Sequence, residues 1–256
     1  MKQIILLLLT LSSFYTRGRA QVVNVESQRL QMDTHRIMSG FNFALEYKDN
    51  NEETMLKIES AAILQVKTKD RKNNFLFLAN YALAHTTQEV INNVGALHLR
   101  YSRILNPQWR WESFTQTQYD QLLRLQSRNL IGTGLRRKIL NSKALTINAG
   151  SLYMYEYERT KENDAITVHK NHRLSSYLVF NLGLPNDLGE IITTTYWQPR
   201  LDLFSDFRIS NNTSLNFHFT KHIDFATTWI ITYDSAPPLD VKRRTLSLNN
   251  SISYHF

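Results

Sequence analysis

The chain has 256 residues, no cysteine, only 5 prolines and 8 glycines, and a formal charge of +8. That composition excludes a disulfide scaffold, a cysteine-ligated metal centre and a collagen-like or disordered chain. No run of five or six Lys/Arg occurs, so the positive balance gives no footprint for nucleic acid.

The first segment, "MKQIILLLLTLSSFYTRGRA", sets one lysine before an apolar run from Ile4 to Leu11 and ends on Gly18 and Ala20. This is the layout of a secretory signal peptide over residues 1–20, with cleavage expected between Ala20 and Gln21. Loss of Lys2, Arg17 and Arg19 with it lowers the formal charge from +8 to +5. The apolar run is too short to span a bilayer, and no other stretch approaches ~18 apolar residues. Residues 21–37 read as a periplasmic N-terminal segment, and residues 38–256 as one domain.

From residue 38 onward the recurring pattern is alternation with period two, the signature of a strand with unlike faces. "FNFALEY" sets Phe41, Phe43, Leu45 and Tyr47 against Asn42, Ala44 and Glu46. "LKIESAAILQVK" sets Leu56, Ile58, Ala62, Leu64 and Val66 against Lys57, Glu59, Gln65 and Lys67. "FLFLANYALA" is apolar on both faces, while "ALHLRYS" opposes Leu97, Leu99 and Tyr101 to His98, Arg100 and Ser102. "LTINAGSLYMYEYE" opposes Tyr153, Tyr155 and Tyr157 to Glu156 and Glu158. The last stretch, "TLSLNNSISYHF", opposes Leu246, Leu248, Ile252, Tyr254 and Phe256 to a register of Ser, Thr, Asn and His255.

About twelve such segments are expected, near residues 38–48, 54–68, 75–86, 93–104, 109–122, 127–139, 145–158, 171–183, 189–199, 206–219, 224–234 and 243–256. Most reach the ~9–11 residues that a tilted strand needs to cross a bilayer, against ~5–6 for strands of soluble sheets. Even-numbered links such as "NPQ", "NSK" and "LPNDL" are short. Odd-numbered ones, "TTQEVINN", "TKENDAITVHKN" and "APPLDVKRR", are longer. This asymmetry, with an even strand count, is that of an outer-membrane barrel whose termini lie on the periplasmic side. Since every backbone group in lipid must be bonded internally, the fold class is all-β, a single antiparallel transmembrane β-barrel of about 12 strands.

Aromatic rings fall at the inferred strand ends, where their amphipathic character suits the headgroup region. Trp109, Trp111, Tyr254 and Phe256, with Phe75 and Phe77, belong to one girdle. Tyr153, Tyr155, Tyr157, Trp197 and Tyr233, with Tyr47, Tyr119 and Tyr196, belong to the other. The register points Lys57, Lys67, Arg100, Arg110, Arg128, Arg136, Arg173 and Arg208 inward, against Glu46, Glu59, Glu112, Asp120, Glu156 and Glu158. Such a balance of signs favours a lumen filled by ion pairs over a one-sign selectivity ring. Twelve strands lie between the filled ~8-stranded and the open ~16-stranded barrels.

Catalytic signals are weak. An outer-membrane hydrolase needs a nucleophile within reach of a base. Among the eight histidines only His255 has a serine two positions away, Ser253, and polar lining of the lumen accounts for that pair. "HKNH", with His169 and His172, reads as a solvated loop and not as a metal site. "GTG" at Gly132 to Gly134 lies within a strand and marks a bend, a bulge or a close approach, and "DSAPP" at Asp234 to Pro238 closes a hairpin. No catalytic residue, cofactor or metal ligand is assigned.

The chain resembles the salt-induced outer-membrane protein family of Gram-negative bacteria, a family of unknown function. The likeness rests on the order and spacing of "VVNVESQRL", "WESFTQTQYD", "LQSRNLIGTGLRRKIL", "GSLYMYEYE", "YWQPRLDLFSDFRISNNTSLNF", "TKHIDFATTWIITYDSAPP" and "SISYHF". It implies an outer-membrane β-barrel and carries no reaction, ligand or catalytic residue. The flush aromatic terminus also looks like the signal read by the outer-membrane assembly machinery, although the glycine often found further back in that signal is missing. The expected location is the cell outer membrane, with outer-membrane lipid and that machinery as partners and no nucleic acid. The expected role is a non-enzymatic envelope or narrow-channel protein; the alternatives are an open pore for small solutes or ions and a lipid-modifying hydrolase.

Overall fold

The computed structural model describes residues 36–50, 53–142, 144–162, 165–220 and 222–254. The expected signal peptide, most of segment 21–37, His255, Phe256 and the side chains of Ser253 and Tyr254 lie outside the described residues. Twelve strands run in chain order: β1 Ile37–Asn50, β2 Glu53–Lys67, β3 Asn73–Thr86, β4 Val90–Ile104, β5 Trp109–Asp120 and β6 Leu125–Asn141. They continue as β7 Leu145–Glu162, β8 Ala165–Gly183, β9 Gly189–Pro199, β10 Phe207–His218, β11 Ile223–Asp234 and β12 Arg244–Tyr254. They form one sheet in sequence order, every neighbouring pair antiparallel, with one 3-10 turn, Pro185–Asp187, before β9.

The sheet curls. Tyr177 on β8 donates to Glu112 on β5 at 2.7 Å, and the Arg100 guanidinium on β4 lies 6.0 Å from the Tyr177 ring. Three strand spacings of about 4.8 Å would hold β5 and β8 roughly 14 Å apart in a flat sheet. Contact across them requires one face to be concave, as in a barrel. Among the described residues no ladder joins β1 to β12, and β1 is exposed on both of its faces.

Alternation then separates the faces. On β4 and β5 the inner register of Asn92, His98, Arg100, Ser102, Glu112, Gln116, Gln118 and Asp120 is buried. The outer register carries exposed Leu97, Leu99 and Trp111, continued by Phe41, Phe77, Ile131, Leu178, Leu248 and Ile252 on other strands. Because the period is two, slipping β4 or β5 by one residue would exchange its polar and apolar sets. An exposed apolar face of this extent marks a surface that contacts a membrane or another protein.

Two expectations about connections change. Of "TKENDAITVHKN", residues 160–162 and 165–171 are strand and not loop: Thr160, Arg159 and Glu158 pair with Thr167, Val168 and His169. The β-branched Ile166, Thr167 and Val168 carry the ladder there. "TTQEVINN" shrinks to residues 87–89 for the same reason. Only the links 200–206 and 235–243 are long at that end. The "NPQ" turn is set by Asn106, whose Oδ1 accepts from the Gln108 and Trp109 amides at 3.0 and 2.9 Å.

The "GTG" stretch is a close approach. A Cβ on Gly132 would meet the Phe114 ring and lie 2.9 Å from the Tyr153 carbonyl oxygen, and one on Gly134 would meet the β7 backbone. Gly150 likewise leaves its place to the Tyr177 ring. Gly132→Val is therefore expected to cost about 1–3 kcal/mol by overpacking, read as a lowered temperature for loss of the compact gel form. Because Phe114→Ala relieves the ring contact and not the one with the Tyr153 carbonyl, the double change should cost less than the two single changes added together.

Candidate functional site

The inner face holds two charged layers separated by an apolar belt. In the first layer Glu112 is fully buried on β5. Arg100 Nη1 stands 3.6 Å from its Oε2 and Arg136 Nη1 stands 4.0 Å from its Oε1, with Tyr177 donating to the same carboxylate. The belt consists of Phe114, Leu130, Leu152, Met154, Tyr177, Val179 and Tyr196. His98 stacks on Phe114 at 5.6 Å and bonds Gln116 Oε1 through Nδ1 at 2.9 Å.

The second layer lies beyond the belt, toward the end bearing links 200–206 and 235–243. Arg128 Nε bonds Glu158 Oε2 at 2.5 Å and stands 3.5 Å from Glu156 Oε2. Arg173 donates to Glu156 Oε1, to Asp206 Oδ1 and to the Gln198 carbonyl at 3.0, 3.0 and 3.1 Å. Arg208 on β10 bonds Glu156, reaches Glu158 Oε2 at 3.1 Å and bonds Asp234 Oδ2 at 2.8 Å. Because β8 and β9 stand between β7 and β10, Arg208 spans the interior as Tyr177 does. Asn171 Nδ2 completes the set on Glu156 at 3.0 Å. Buried arginines and carboxylates persist here because each is held by several partners.

Above this layer the loop 235–243 crosses toward the β5–β6 turn. Arg124 Nη2 meets Asp240 Oδ2 at 3.1 Å, beside a cavity of about 530 Å³ lined by Tyr119, Gln121, Leu125 and Lys161. In the link 200–206, Arg200 bonds Asp202 at 2.6 Å and Asp206 at 3.1 Å. Its hydrogen bond to Asp202 holds that carboxyl below its ordinary pKa.

Of the charged residues expected to face inward, Arg100, Glu112 and Arg136 meet in one layer, and Arg128, Glu156, Glu158, Arg173 and Arg208 in the other. Lys57 and Glu59 pair at 2.9 Å, each about one-third exposed on β2. Glu46 pairs with Lys48 at 2.6 Å on β1. Arg110 is half-buried in the inner register of β5, and Lys67 and Asp120 are buried.

Sequence reasoning missed the belt, expecting a lumen filled by ion pairs. It also missed Tyr177, Asp206 and Asp234 as partners; the signal for Tyr177 was the glycine across the ladder, Gly150.

Rings cluster toward both ends of the outer face. Phe75 contacts Tyr101 at 5.1 Å, Tyr101 contacts Trp111 at 5.7 Å, and Arg137 covers Trp109 at 5.4 Å. Toward the other end Tyr153 and Tyr155 flank His172, Trp197 contacts Phe204 and Tyr233 contacts Phe207. Tyr157 is half-buried on the outer face of β7. Tyr196 departs from the expected girdle: it is buried on the inner face, 5.4 Å from Tyr177. Its neighbour Trp197 points outward, and adjacent strand residues cannot share a face. His169 and His172 sit on β8 and not in a loop, and His172 Nδ1 bonds the Tyr153 hydroxyl at 2.5 Å.

No curated protein matches the chain. Among solved structures it is similar to the NanC porin, at 13% identity over 86% of this chain and 99% of that chain, with a TM-score of 0.47. It is similar to the KdgM porin in complex with disordered oligogalacturonate at 11% identity, over 86% and 99% of the two chains, with a TM-score of 0.41. The beta domain of the Bordetella autotransporter BrkA matches at 11% identity over 87% and 100%, with a TM-score of 0.40. These overlaps are loose, and the fold rests on the strand register itself. The family described as protein of unknown function, DUF481, matches residues 41–256, and the chain belongs to it.

Proposed function

We propose that the chain is an exported outer-membrane β-barrel with a non-enzymatic envelope or narrow-channel role, its lumen closed by two ion-paired layers and the belt between them. The carrying observation is the pair of cross-lumen contacts, Tyr177 to Glu112 and Arg208 to Glu156. Residues 1–20 serve as the signal peptide, 21–37 as a periplasmic segment and 38–256 as the barrel. The apolar outer register meets lipid, the outward rings of Trp109, Trp111, Tyr153, Tyr155, Tyr157, Trp197 and Tyr233 anchor it at the interfaces, and Tyr254 with Phe256 engages the assembly machinery. Synthesis under salt stress is the physiological setting that the family resemblance suggests.

Three of the described histidines bond an amide, a phenol and a carboxylate, in the pairs His98–Gln116, His172–Tyr153 and His218–Asp224. That arrangement lends the hydrolase alternative no support.

Planar-bilayer recording of the purified full chain tests the closed lumen. The expected record is free of large stable steps, from a preparation whose gel mobility shifts on heating. Regular large steps from the wild-type chain would replace this reading with the open-pore alternative.

A further inference from the structure

The β7–β8 hairpin segregates charge. On the inner face Glu156 and Glu158 are consumed by Arg128, Arg173 and Arg208. On the outer face the successive rungs are Tyr153 with Leu174, Tyr155 with His172, Tyr157 with Lys170, Arg159 with Val168, and Lys161 with Ile166. Every carboxylate whose side chain is described on β7 and β8 points inward, so the outer face is basic throughout its upper half. Lys161, Lys170 and His172 are exposed. Asp202, in the link whose Leu201 amide bonds the His172 carbonyl, is held by Arg200.

The basic rungs sit immediately beyond the aromatic ones. Tyr153 and Tyr155 pack around His172 at ring distances of 5.9 and 5.4 Å. If the tyrosines mark the headgroup level, Arg159, Lys161 and Lys170 stand at the depth of headgroup phosphates, with the alkyl stems of the lysines beside Val168 and Ile166. β9 pairs with β8 only from Ser176 onward, apart from one bridge between Arg173 and Arg200, so the upper edge of the hairpin stays open to an approaching headgroup.

Resting on the outer-membrane reading above, we propose that the outer face of the β7–β8 hairpin is a docking surface for the phosphate groups of lipid headgroups in the leaflet at the loop end. Arg159 supplies a bidentate fork, and Lys161 and Lys170 supply point charges on either side.

The test measures binding of phosphatidic acid, whose headgroup is a phosphate monoester, to the full chain in phosphatidylcholine vesicles at fixed ionic strength. The wild-type chain is expected to retain phosphatidic acid selectively. The R159Q/K161Q/K170Q variant is expected to lose about a hundredfold in affinity, given roughly a fivefold step for each of the cations removed. K69Q/R71Q/K72Q, the same charge change in the β2–β3 turn at the opposite end, is expected to bind as wild type. Equal loss in both triples would reduce the effect to net charge and overturn the proposal, as would full retention in the first.

If the triple variant loses its heat-dependent gel shift, the exposed single change Lys170→Gln carries the test, with an expected loss of about fivefold. Failure of the membrane reading looks different: the wild-type chain would then enter phosphatidylcholine vesicles neither with phosphatidic acid nor without it.

Discussion

Arg208→Gln is expected to lower the stability of the barrel by about 3–5 kcal/mol, the usual cost of removing one partner from a buried charged cluster. Arg208 contacts three carboxylates, Glu156, Glu158 and Asp234. Without it, three buried acids are left to Arg128 and Arg173. The measurement is the temperature at which the compact gel form is lost in detergent, compared with the wild-type chain. Neutralising one of the stranded acids should recover part of the loss, so Arg208→Gln with Glu156→Gln should be milder than the two single effects added together. Strict additivity would show that Arg208 and Glu156 do not meet across the interior.

Much of the fold was legible because the outer face enforces a strict code. Each strand that must offer apolar side chains on one side and polar ones on the other writes a period of two, as in "ALHLRYS", and β4 to β6, β9 and β11 follow it closely. The code fades where the outer face itself turns polar. Arg159, Lys161, Val168, Lys170 and His172 on the outer register face Thr160, Thr167, His169 and Asn171 on the inner one, so nothing distinguished a ladder from a solvated loop, and β8 begins six residues earlier than the pattern suggests. Tyr196 and Trp197 could not both face outward, but side-chain type alone does not say which of two adjacent rings turns in.

Inner charges were legible as a set and not as pairs. Neighbouring partners such as Arg128 and Glu158 face each other in the ladder, so register alone brings them together. Partners across the interior, such as Arg208 with Glu156, depend on how tightly the sheet curls, and sequence periodicity holds no measure of curvature. The belt was hidden for another reason. Leu152 and Met154 share a register with Glu156 and Glu158, which marked that register as polar, and the glycines that admit Phe114 and Tyr177 have no side chains to signal the contact.

Glu112→Gln is the corresponding expectation for the other layer. Arg100, Arg136 and Tyr177 converge on this one fully buried carboxylate, so its neutralisation leaves two close guanidinium groups without their shared counter-charge. The expected loss is again about 3–5 kcal/mol, whereas Tyr177→Phe, which keeps the ion pairs and the ring and loses one hydrogen bond to a charged group, should cost about 1.5–3 kcal/mol. Because the belt separates the two layers, Glu112→Gln and Arg208→Gln share no partner, and their effects should add within about 0.5 kcal/mol. Neither change is expected to produce stable conductance steps. Phe114, Leu152 and Tyr177 remain in place, and an apolar constriction blocks ions by excluding water. Large steps in Glu112→Gln alone would mean that the charges themselves close the passage, and that the belt only packs against the wall.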